Sequence, residues 1–258
     1  MRSGFFGVPV ANIKKVVLVT GGAKGVGRGI SDKFLAGGAR VIACGREAPA
    51  QTLGGLDFIK ADVRDAAAVE NLFAVIQKKC GRLDVLVNNA GGAPHALADK
   101  ASPRFHEKII QLNLLAPLLL AQKANELMQA QDGGVIIFIA SVSALRPSPG
   151  TAAYGAAKAG ILSLTQSLAV EWAPKVRVAA VSPGLVRTEH TEMHYGDAAS
   201  VAAVAATVPL GRLAEPAEIG EACVWLASDA AAYASGANIV LHGGGERPAF
   251  LAASNANK

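Results

Sequence analysis

The amino-acid sequence predicts an α/β fold in which a single doubly wound parallel sheet of seven strands carries helices on both faces. Short runs rich in β-branched residues alternate along the 258-residue chain with longer stretches of helical periodicity, a pattern typical of parallel sheets with helical crossovers. The strand runs are apolar at both alternating positions, as expected when both faces of a sheet are buried. With 51% hydrophobic and 17% charged residues, the chain can bury one large core.

The predicted strands cover residues 16–20, 40–44, 56–60, 85–88, 135–140, 176–181 and 238–242. Between them, helical periodicity predicts helices over residues 27–36, 65–80, 102–128, 152–173 and 216–228. Two segments interrupt this alternation. Residues 47–55 contain Pro49 and two glycines and predict a loop, and the alanine-rich residues 189–209 predict a mobile helical flap over a ligand site. We therefore expect one domain over residues 14–246, preceded by an extension (1–13) and followed by a tail (247–258).

Composition argues against several classes of protein. A net charge of +5 without a dense basic run does not indicate a nucleic-acid partner. Cys44, Cys80 and Cys223 are odd in number and far apart, which favours a reducing compartment over disulfides or zinc. No apolar stretch reaches the about 20 residues that a membrane helix needs, and the apolar start of the chain is broken by Gly7 and Pro9, unlike a secretory signal. We expect a soluble cytoplasmic protein.

A glycine-rich segment follows the first predicted strand and opens the first helix. It reads Thr20-Gly-Gly-Ala-Lys-Gly-Val-Gly27. Backbone N–H groups at a helix N-terminus, together with the helix dipole, favour a bound pyrophosphate, and glycine allows the close approach and the positive φ angles that such a turn needs. The segment therefore predicts a dinucleotide site of the Rossmann type that includes Gly21, Ala23, Lys24, Gly25, Val26 and Gly27.

The end of the second strand predicts which dinucleotide binds. NAD-binding folds usually carry an acidic residue there to hold the ribose diol, but this chain has Gly45 followed by Arg46. A guanidinium can grip a ribose phosphate through forked, charge-assisted hydrogen bonds, and Lys24 adds a second cation. The sequence therefore favours NADP as the cofactor, with NAD as the alternative.

A tyrosine and a lysine supply the predicted chemistry. Tyr154 and Lys158 are four residues apart in a helical pattern, so both side chains face the same way. A free tyrosine has a pKa of about 10, and a neighbouring ammonium and an oxidised nicotinamide both favour its phenolate. We therefore expect a lowered Tyr154 pKa and a role for this phenol in proton transfer.

Other polar residues follow strands or interrupt apolar helices. Ser141 ends the fifth predicted strand and Asn89 follows the fourth, at the carboxyl edge where open α/β sheets bind ligands. Asn113 lies in an apolar helix, where an amide is costly unless it is hydrogen-bonded.

These motifs, in this order, resemble those of the short-chain dehydrogenase/reductase family, in particular its 3-oxoacyl-acyl-carrier-protein reductases. The resemblance runs from about Lys14 to Gly244. It implies that Ser141 holds the substrate oxygen, that Tyr154 exchanges the proton, that Lys158 binds the nicotinamide ribose, and that Asn113 supports a proton relay. The remaining cofactor contacts that it implies are Asp62 and Val63 at the adenine, Asn89, Ala90 and Gly91 in the cleft, and Pro183, Gly184, Val186 and Thr188 at the nicotinamide.

The same resemblance implies a homo-oligomer, either a tetramer or a dimer, and a small carbonyl or alcohol substrate. The chain departs from the family at His242, where an acidic residue is common before the glycines.

Two alternatives remain open from sequence. One is an NAD-dependent alcohol or steroid dehydrogenase of the same fold, and another is a dinucleotide-binding sensor without turnover, although a sensor needs no proton relay. A metal site at His190, Glu192 and His194 is not favoured, because their order differs from the metal-binding His-Glu-x-x-His pattern. We therefore predict no metal.

Overall fold

A computed structural model describes residues 14–49, 54–246 and 248. The predicted extension at residues 1–13, residues 50–53 of the predicted loop, and all of the predicted tail except Pro248 lie outside the described residues. The domain boundaries at residues 14 and 246 stay predictions.

The seven predicted strands form one parallel sheet. In chain order they are β1 (Val16–Thr20), β2 (Arg40–Gly45), β3 (Leu56–Lys60), β4 (Val85–Asn88), β5 (Gly134–Ile139), β6 (Val176–Pro183) and β7 (Asn238–Leu241). Their order across the sheet is β3-β2-β1-β4-β5-β6-β7, and every neighbouring pair is parallel. The predicted fold class is confirmed, and no strand end differs from its predicted position by more than two residues.

Eight α-helices connect and cover these strands. They are α1 (Gly25–Ala36), α2 (Ala66–Cys80), α3 (Pro103–Ile110), α4 (Ala116–Ala130), α5 (Ala152–Glu171), α6 (Thr191–Tyr195), α7 (Ala198–Thr207) and α8 (Pro216–Leu226) within the described residues. Each of the five predicted helices has a counterpart among them.

Both faces of the sheet are buried, so alternate residues of each strand pack into different hydrophobic cores. In β1, Leu18 packs in the core that α2, α4 and α5 cover, whereas its neighbours Val17 and Val19 pack in the core that α1 and α8 cover. Successive side chains of a strand point to opposite faces, and each face here meets a helical layer. This explains why the inner strand runs, such as β1 and β4, are apolar at both alternating positions.

The winding of the chain creates a crevice between β1 and β4. From β1 the chain moves outward through β2 to β3, and then returns to add β4 on the other side of β1. The loops after β1 and β4 therefore leave in opposite directions, which opens a crevice at the carboxyl edge where open α/β sheets bind their ligands.

The long helix predicted over residues 102–128 is interrupted, and the prediction of one continuous helix was wrong. The five residues Gln111–Leu115 form a wider π-helical turn between α3 and α4. Pro117 lacks the N–H that would donate to the carbonyl of residue 113 in a regular helix. The Asn113 amide also bonds outside the helix, to the backbone of Gly92. Both features stabilise the local widening.

The predicted flap at residues 189–209 consists of two short helices. Helices α6 and α7 are joined at Gly196, whose φ of +92° suits glycine. Val201 and Ala205 pack with Leu213 in a small separate core. The helical part of the prediction is confirmed, while the mobility of the flap stays a prediction.

No helix among the described residues is long and apolar enough to cross a membrane.

Helices α1 and α8 cross at a contact that only glycine allows. A Cβ at Gly29 would lie against the backbone of Pro216, and a Cβ at Gly220 would lie 2.7 Å from the Gly29 carbonyl oxygen. The backbones therefore touch directly. This contact holds α8 against the helix whose N-terminus opens at the crevice.

We predict that Gly29→Ala lowers the free energy of unfolding by about 1–3 kcal/mol, because overpacking this crossing outweighs the gain of about 1 kcal/mol in helix propensity. Chemical denaturation followed by circular dichroism measures this change. Gly37→Ala at the end of the same helix is the matched control, because its Cβ would lie 3.4 Å from the nearest atom. Equal stability of the two variants would contradict a tight crossing.

Candidate active site

A cleft of about 640 Å³ opens at the carboxyl edge of the sheet and gathers nearly all of the predicted site residues. It is lined by Gly21, Ala23, Lys24, Gly25, Val26, Gly27, Arg46, Asp62, Val63, Asn89, Ala90, Gly91, Ser141, Tyr154, Lys158, Pro183, Gly184, Val186 and Thr188. Asn113 is the one predicted site residue that does not line it. Residues far apart in sequence thus meet in one cavity, as the fold class requires.

The glycine-rich turn is shaped by contacts that exclude side chains. Gly21 and Gly25 have φ angles of +64° and +52°, which favour glycine. A Cβ at Gly27 would lie against the Gly21 carbonyl and 2.5 Å from the Asn89 amide nitrogen. The turn therefore passes close under the start of α1, and the first N–H groups of that helix open towards the cleft.

The hydroxyl of Thr20 joins the two strands that flank the crevice. It accepts hydrogen bonds from the backbone N–H groups of Asn89 and Ala90, both at 2.9 Å. The Asn89 side chain in turn donates to the Thr20 carbonyl at 2.9 Å. Thr20 is buried and was not among the predicted site residues. It sets the loop after β4 against the glycine turn.

Asn113 is completely buried and acts on the cleft through the backbone. Its side-chain oxygen accepts from the N–H of Gly92 at 2.9 Å, and its amide donates to the carbonyls of Gly92 and Ile109 at 3.0 and 2.9 Å. Its oxygen would also lie 2.7 Å from a Cβ at Gly91. The amide is therefore satisfied, and it holds residues 91–92 at the floor of the cleft.

Ser141, Tyr154 and Lys158 meet at the inner end of the cleft. The Ser141 side chain lies close enough to the Tyr154 phenol to lower its pKa, and the Lys158 nitrogen lies 5.5 Å from the centre of the Tyr154 ring. The Ser141 oxygen accepts from the backbone N–H of Ser143 at 3.1 Å, which leaves its O–H available as a donor.

The ionisation of this cluster differs from the sequence-based expectation. Burial raises the pKa of Tyr154, and the nearby Ser141 hydroxyl offsets only part of that effect. The Lys158 ammonium donates to the Ile139 carbonyl at 2.7 Å, and Lys158 is not among the groups that shift the Tyr154 pKa. Burial also lowers the pKa of Lys158 to about 8.

The opposite end of the cleft carries several charges. Arg46 and Asp62 lie there, next to Lys24 of the glycine turn and a residue that sequence reasoning missed, Arg64. The Arg64 guanidinium holds the Asp62 carboxylate at 2.6 Å, and this contact lowers the pKa of Asp62. The sequence feature that could have identified Arg64 is its position two residues after the predicted site residue Asp62.

The segment after β6 closes the remaining side of the cleft. Val186 forms an isolated parallel bridge with Ala214, and the backbone N–H of Thr188 donates to the Thr191 hydroxyl at 2.7 Å. Glu189, which was not predicted, places a carboxylate oxygen 3.6 Å from where a Cβ of Gly25 would stand. This segment therefore connects the flap to the glycine turn.

An ion pair joins two segments beyond the cluster. Arg146, in the loop after β5, contacts Glu246 at 2.6 Å. The charges of both residues act on the Tyr195 phenol of α6, although burial is the main reason why its pKa is raised. We call Arg146, Tyr195 and Glu246 the rim cluster.

The structure also locates histidines that the sequence singled out, of which His190 lines the cleft. Among the described residues, no group of three or more His, Cys, Asp or Glu side chains is arranged to hold a metal ion. His242 lines a separate cavity of about 400 Å³ between β7 and the segment after α7.

Comparisons with known proteins agree with this geometry. The family model described as "Enoyl-(Acyl carrier protein) reductase" matches residues 21–246. An uncharacterized short-chain type dehydrogenase/reductase of Sinorhizobium fredii is 39% identical over 240 residues, which are 89% of this chain but only 43% of that longer relative. The D-threitol dehydrogenase of Mycolicibacterium smegmatis is 38% identical over 240 residues, covering 89% of this chain and 92% of the relative.

A solved structure shows the same fold. The aldohexose dehydrogenase of Thermoplasma acidophilum, in ligand-free form, superposes with a TM-score of 0.85 at 28% identity, covering 95% of this chain and 96% of that one.

The buried ammonium of Lys158 makes a testable contribution to stability. Its pKa of about 8 in the folded protein lies below the ordinary lysine value of 10.5, so between these pH values the unfolded chain binds more protons. The free energy of unfolding therefore rises as pH increases from about 8 to 10.5. We predict that Lys158→Met removes this rise and unfolds at a higher temperature than wild type at pH 7.

Thermal melts of both proteins between pH 7 and pH 10.5 measure the difference. Lys108→Met on the exposed face of α3 is the control and should keep the wild-type pH dependence. A Lys158→Met protein with the same pH slope as wild type would contradict the lowered pKa.

Proposed function

The chain belongs to the short-chain dehydrogenase/reductase family of oxidoreductases, which act on alcohol and carbonyl groups, and from this we propose that it passes a hydride between NADP(H) and a small carbonyl or alcohol. In this proposal Tyr154 is the general acid and base. The observation that supports it most directly is the cluster of Ser141, Tyr154 and Lys158 at one end of the cleft that begins at the glycine turn.

The shape of the cleft suits a dinucleotide. Its glycine turn and the open N-terminus of α1 provide N–H donors for a pyrophosphate. The absence of side chains at Gly21, Gly25 and Gly91 keeps its floor clear, while Pro183 and Gly184 line the side where the nicotinamide would lie. When bound, the nicotinamide supplies or accepts the hydride.

The side chains of Ser141, Tyr154 and Lys158 bind the substrate oxygen and transfer its proton in this proposal. In carbonyl reduction, the Ser141 hydroxyl donates a hydrogen bond to the carbonyl oxygen, and the Tyr154 hydroxyl gives that oxygen its proton while the hydride joins the carbon. The phenolate that remains regains a proton from solvent, and alcohol oxidation runs these steps in reverse. Because the Lys158 pKa is about 8, its ammonium is largely charged at neutral pH and can stabilise this phenolate.

A preference for NADP is part of the proposal. Arg46 follows β2 directly and Lys24 lies in the glycine turn, and both line the cleft. No acidic residue stands at Gly45 to hold an unmodified ribose. Two cations at this end favour a ribose that carries a phosphate.

The rim favours an uncharged, partly apolar substrate. The guanidinium of Arg146 is neutralised by Glu246, so the rim cluster carries no net charge. Leu145 beside it and Met193 on the flap are 52% and 72% exposed, and they offer apolar surface to a substrate that enters over Tyr154.

The proposal also keeps the expectation of a cytoplasmic homo-oligomer. Cys44, Cys80 and Cys223 are all free thiols, which fits a reducing compartment. Trp225 and Tyr233 are large apolar side chains that stay exposed in the single chain, and a second copy of the protein could cover them.

We predict that Tyr154→Phe lowers turnover by about 10²–10⁴-fold, because it removes the general acid and base. The dinucleotide affinity should change little. A screen of varied ketones and alcohols, followed by nicotinamide absorbance, identifies a substrate, and fluorescence titration measures cofactor binding.

Tyr233→Phe is the matched control, because this tyrosine does not line the cleft, and it should keep wild-type activity. A Tyr154→Phe protein that turns over as fast as wild type would refute the assigned role. Wild type that binds the dinucleotide but converts no compound in the screen would favour the sensor.

A second prediction concerns the cofactor. Wild type should bind NADPH more tightly than NADH, and Arg46→Ala should weaken NADPH binding by about ten- to a hundredfold, the effect of one charge-assisted hydrogen bond. Arg40→Ala is the control, because Arg40 begins the same strand at the opposite edge and pairs with Asp57 at 3.0 Å. Equal affinities of wild type for the two dinucleotides would exclude the NADP preference.

A further inference from the structure

The ends of β2 and β3 bring a cation and an anion to the same corner of the cleft. The backbone N–H of Ala61 donates to the Gly45 carbonyl at 2.9 Å. Arg46 and Asp62 are the residues that directly follow this hydrogen-bonded pair. The charge of Arg46 reaches Asp62 and contributes to the lowering of its pKa. A phosphate held by Arg46 would therefore lie near the Asp62 carboxylate, which repels it.

Arg64 removes most of this conflict. The Asp62 Oδ1 accepts from the Arg64 backbone N–H and from its Nε, both at 3.0 Å, and Oδ2 accepts from Nη2 at 2.6 Å. The backbone N–H of Asp65 closes the same turn on the Asp62 carbonyl at 3.0 Å. The carboxylate is thus neutralised by a guanidinium that a tight turn holds in place.

This pairing leaves donors unused on Arg64. A guanidinium carries five N–H donors, and the fork to Asp62 uses one on Nε and one on Nη2. The other N–H groups have no partner among the described residues, and the side chain is 29% exposed while lining the cleft. One edge of the guanidinium is therefore committed to Asp62, and the other is available to a ligand.

The charge balance of this corner depends on Arg64. With the start of α1, its charged lining residues are Lys24, Arg46 and Arg64 on the positive side and Glu47, Asp62 and Glu189 on the negative side. Without Arg64 two cations face three anions, and the net charge repels a phosphate. With Arg64 the charges balance, which removes that repulsion.

We propose that Arg64 is a specificity-determining residue for the phosphorylated dinucleotide: it neutralises Asp62 and, together with Arg46, donates hydrogen bonds to the 2′-phosphate of the adenosine ribose. This inference rests on the proposed NADP preference and extends it to a residue outside the glycine turn and the end of β2. NADH lacks the phosphate, so Arg64 contributes little to its affinity.

The test compares Arg64→Gln and Arg64→Lys with wild type. The glutamine keeps an N–H donor for Asp62 without the charge, and the lysine keeps the charge without the fork. Calorimetric titration measures the affinities for NADPH and NADH, and for adenosine 2′,5′-bisphosphate and AMP, which isolate the adenosine end from the nicotinamide.

For Arg64→Gln we expect the affinities for NADPH and for the bisphosphate to fall by about ten- to a hundredfold, and those for NADH and AMP to stay within about twofold of wild type. Arg64→Lys should recover part of the loss.

The chain offers a matched control. Arg82 forms the same fork to an aspartate two residues away, Asp84, at 2.6 Å, with 33% exposure, but it precedes β4 at the opposite edge of the sheet. Arg82→Gln should leave the ratio of NADPH to NADH affinity unchanged, even if it lowers stability.

Two results would overturn the inference. One is an Arg64→Gln protein whose NADPH and NADH affinities fall together, which would mean that Arg64 only orders Asp62. The other is an Arg64→Lys protein as weak for NADPH as Arg64→Gln, which would mean that charge is not what the site uses. The wild-type ratio of NADPH to NADH affinity tests the proposed function separately, because the change in that ratio on substitution reports on Arg64 whatever its starting value.

Discussion

The hydrogen bonds between the ends of β1 and β4 are the constraint on which the site depends. The two strands are neighbours only because the sheet reverses its winding direction there, and the Thr20 hydroxyl joins them through the N–H groups of Asn89 and Ala90. The glycine turn and the loop after β4 are held at a fixed separation as a result. This side of the cleft is therefore fixed by the fold.

Burial explains the unusual ionisation at the inner end of the cleft. An ammonium without a carboxylate partner is costly in a protein interior, and Lys158 meets this cost by donating to the Ile139 carbonyl and by a lowered pKa. The pKa of Tyr154 shifts in the opposite direction and is raised, since burial favours the neutral phenol. An anionic ligand or a phenolate beside the ammonium would relieve both effects. Both side chains are thus buried at the inner end of the cleft, and burial disfavours the charged form of each.

Charged side chains lie at both ends of the cleft. At the outer end, Arg64 and Asp62 form a neutral unit inside a turn. Glu189 stands beside the N-terminus of α1, where a carboxylate is favoured by the helix dipole. Beyond the inner end, Arg146 and Glu246 of the rim cluster pair with each other. Paired charges therefore stand at both ends of the cleft.

Local patterns were sufficient to predict the seven strands and the glycine turn, because backbone hydrogen bonding and side-chain burial in these elements repeat with short periods. They also identified Ser141, Tyr154 and Lys158, whose residue types and positions relative to strand ends are visible along the chain. They could not show that Asn113 widens a helix, that Lys158 turns to the Ile139 carbonyl, or that Arg64 faces the same corner as Arg46. Each of these depends on segments that are distant in sequence and meet only when the sheet is assembled. The partners of these side chains are therefore determined by burial and charge compensation in the folded protein.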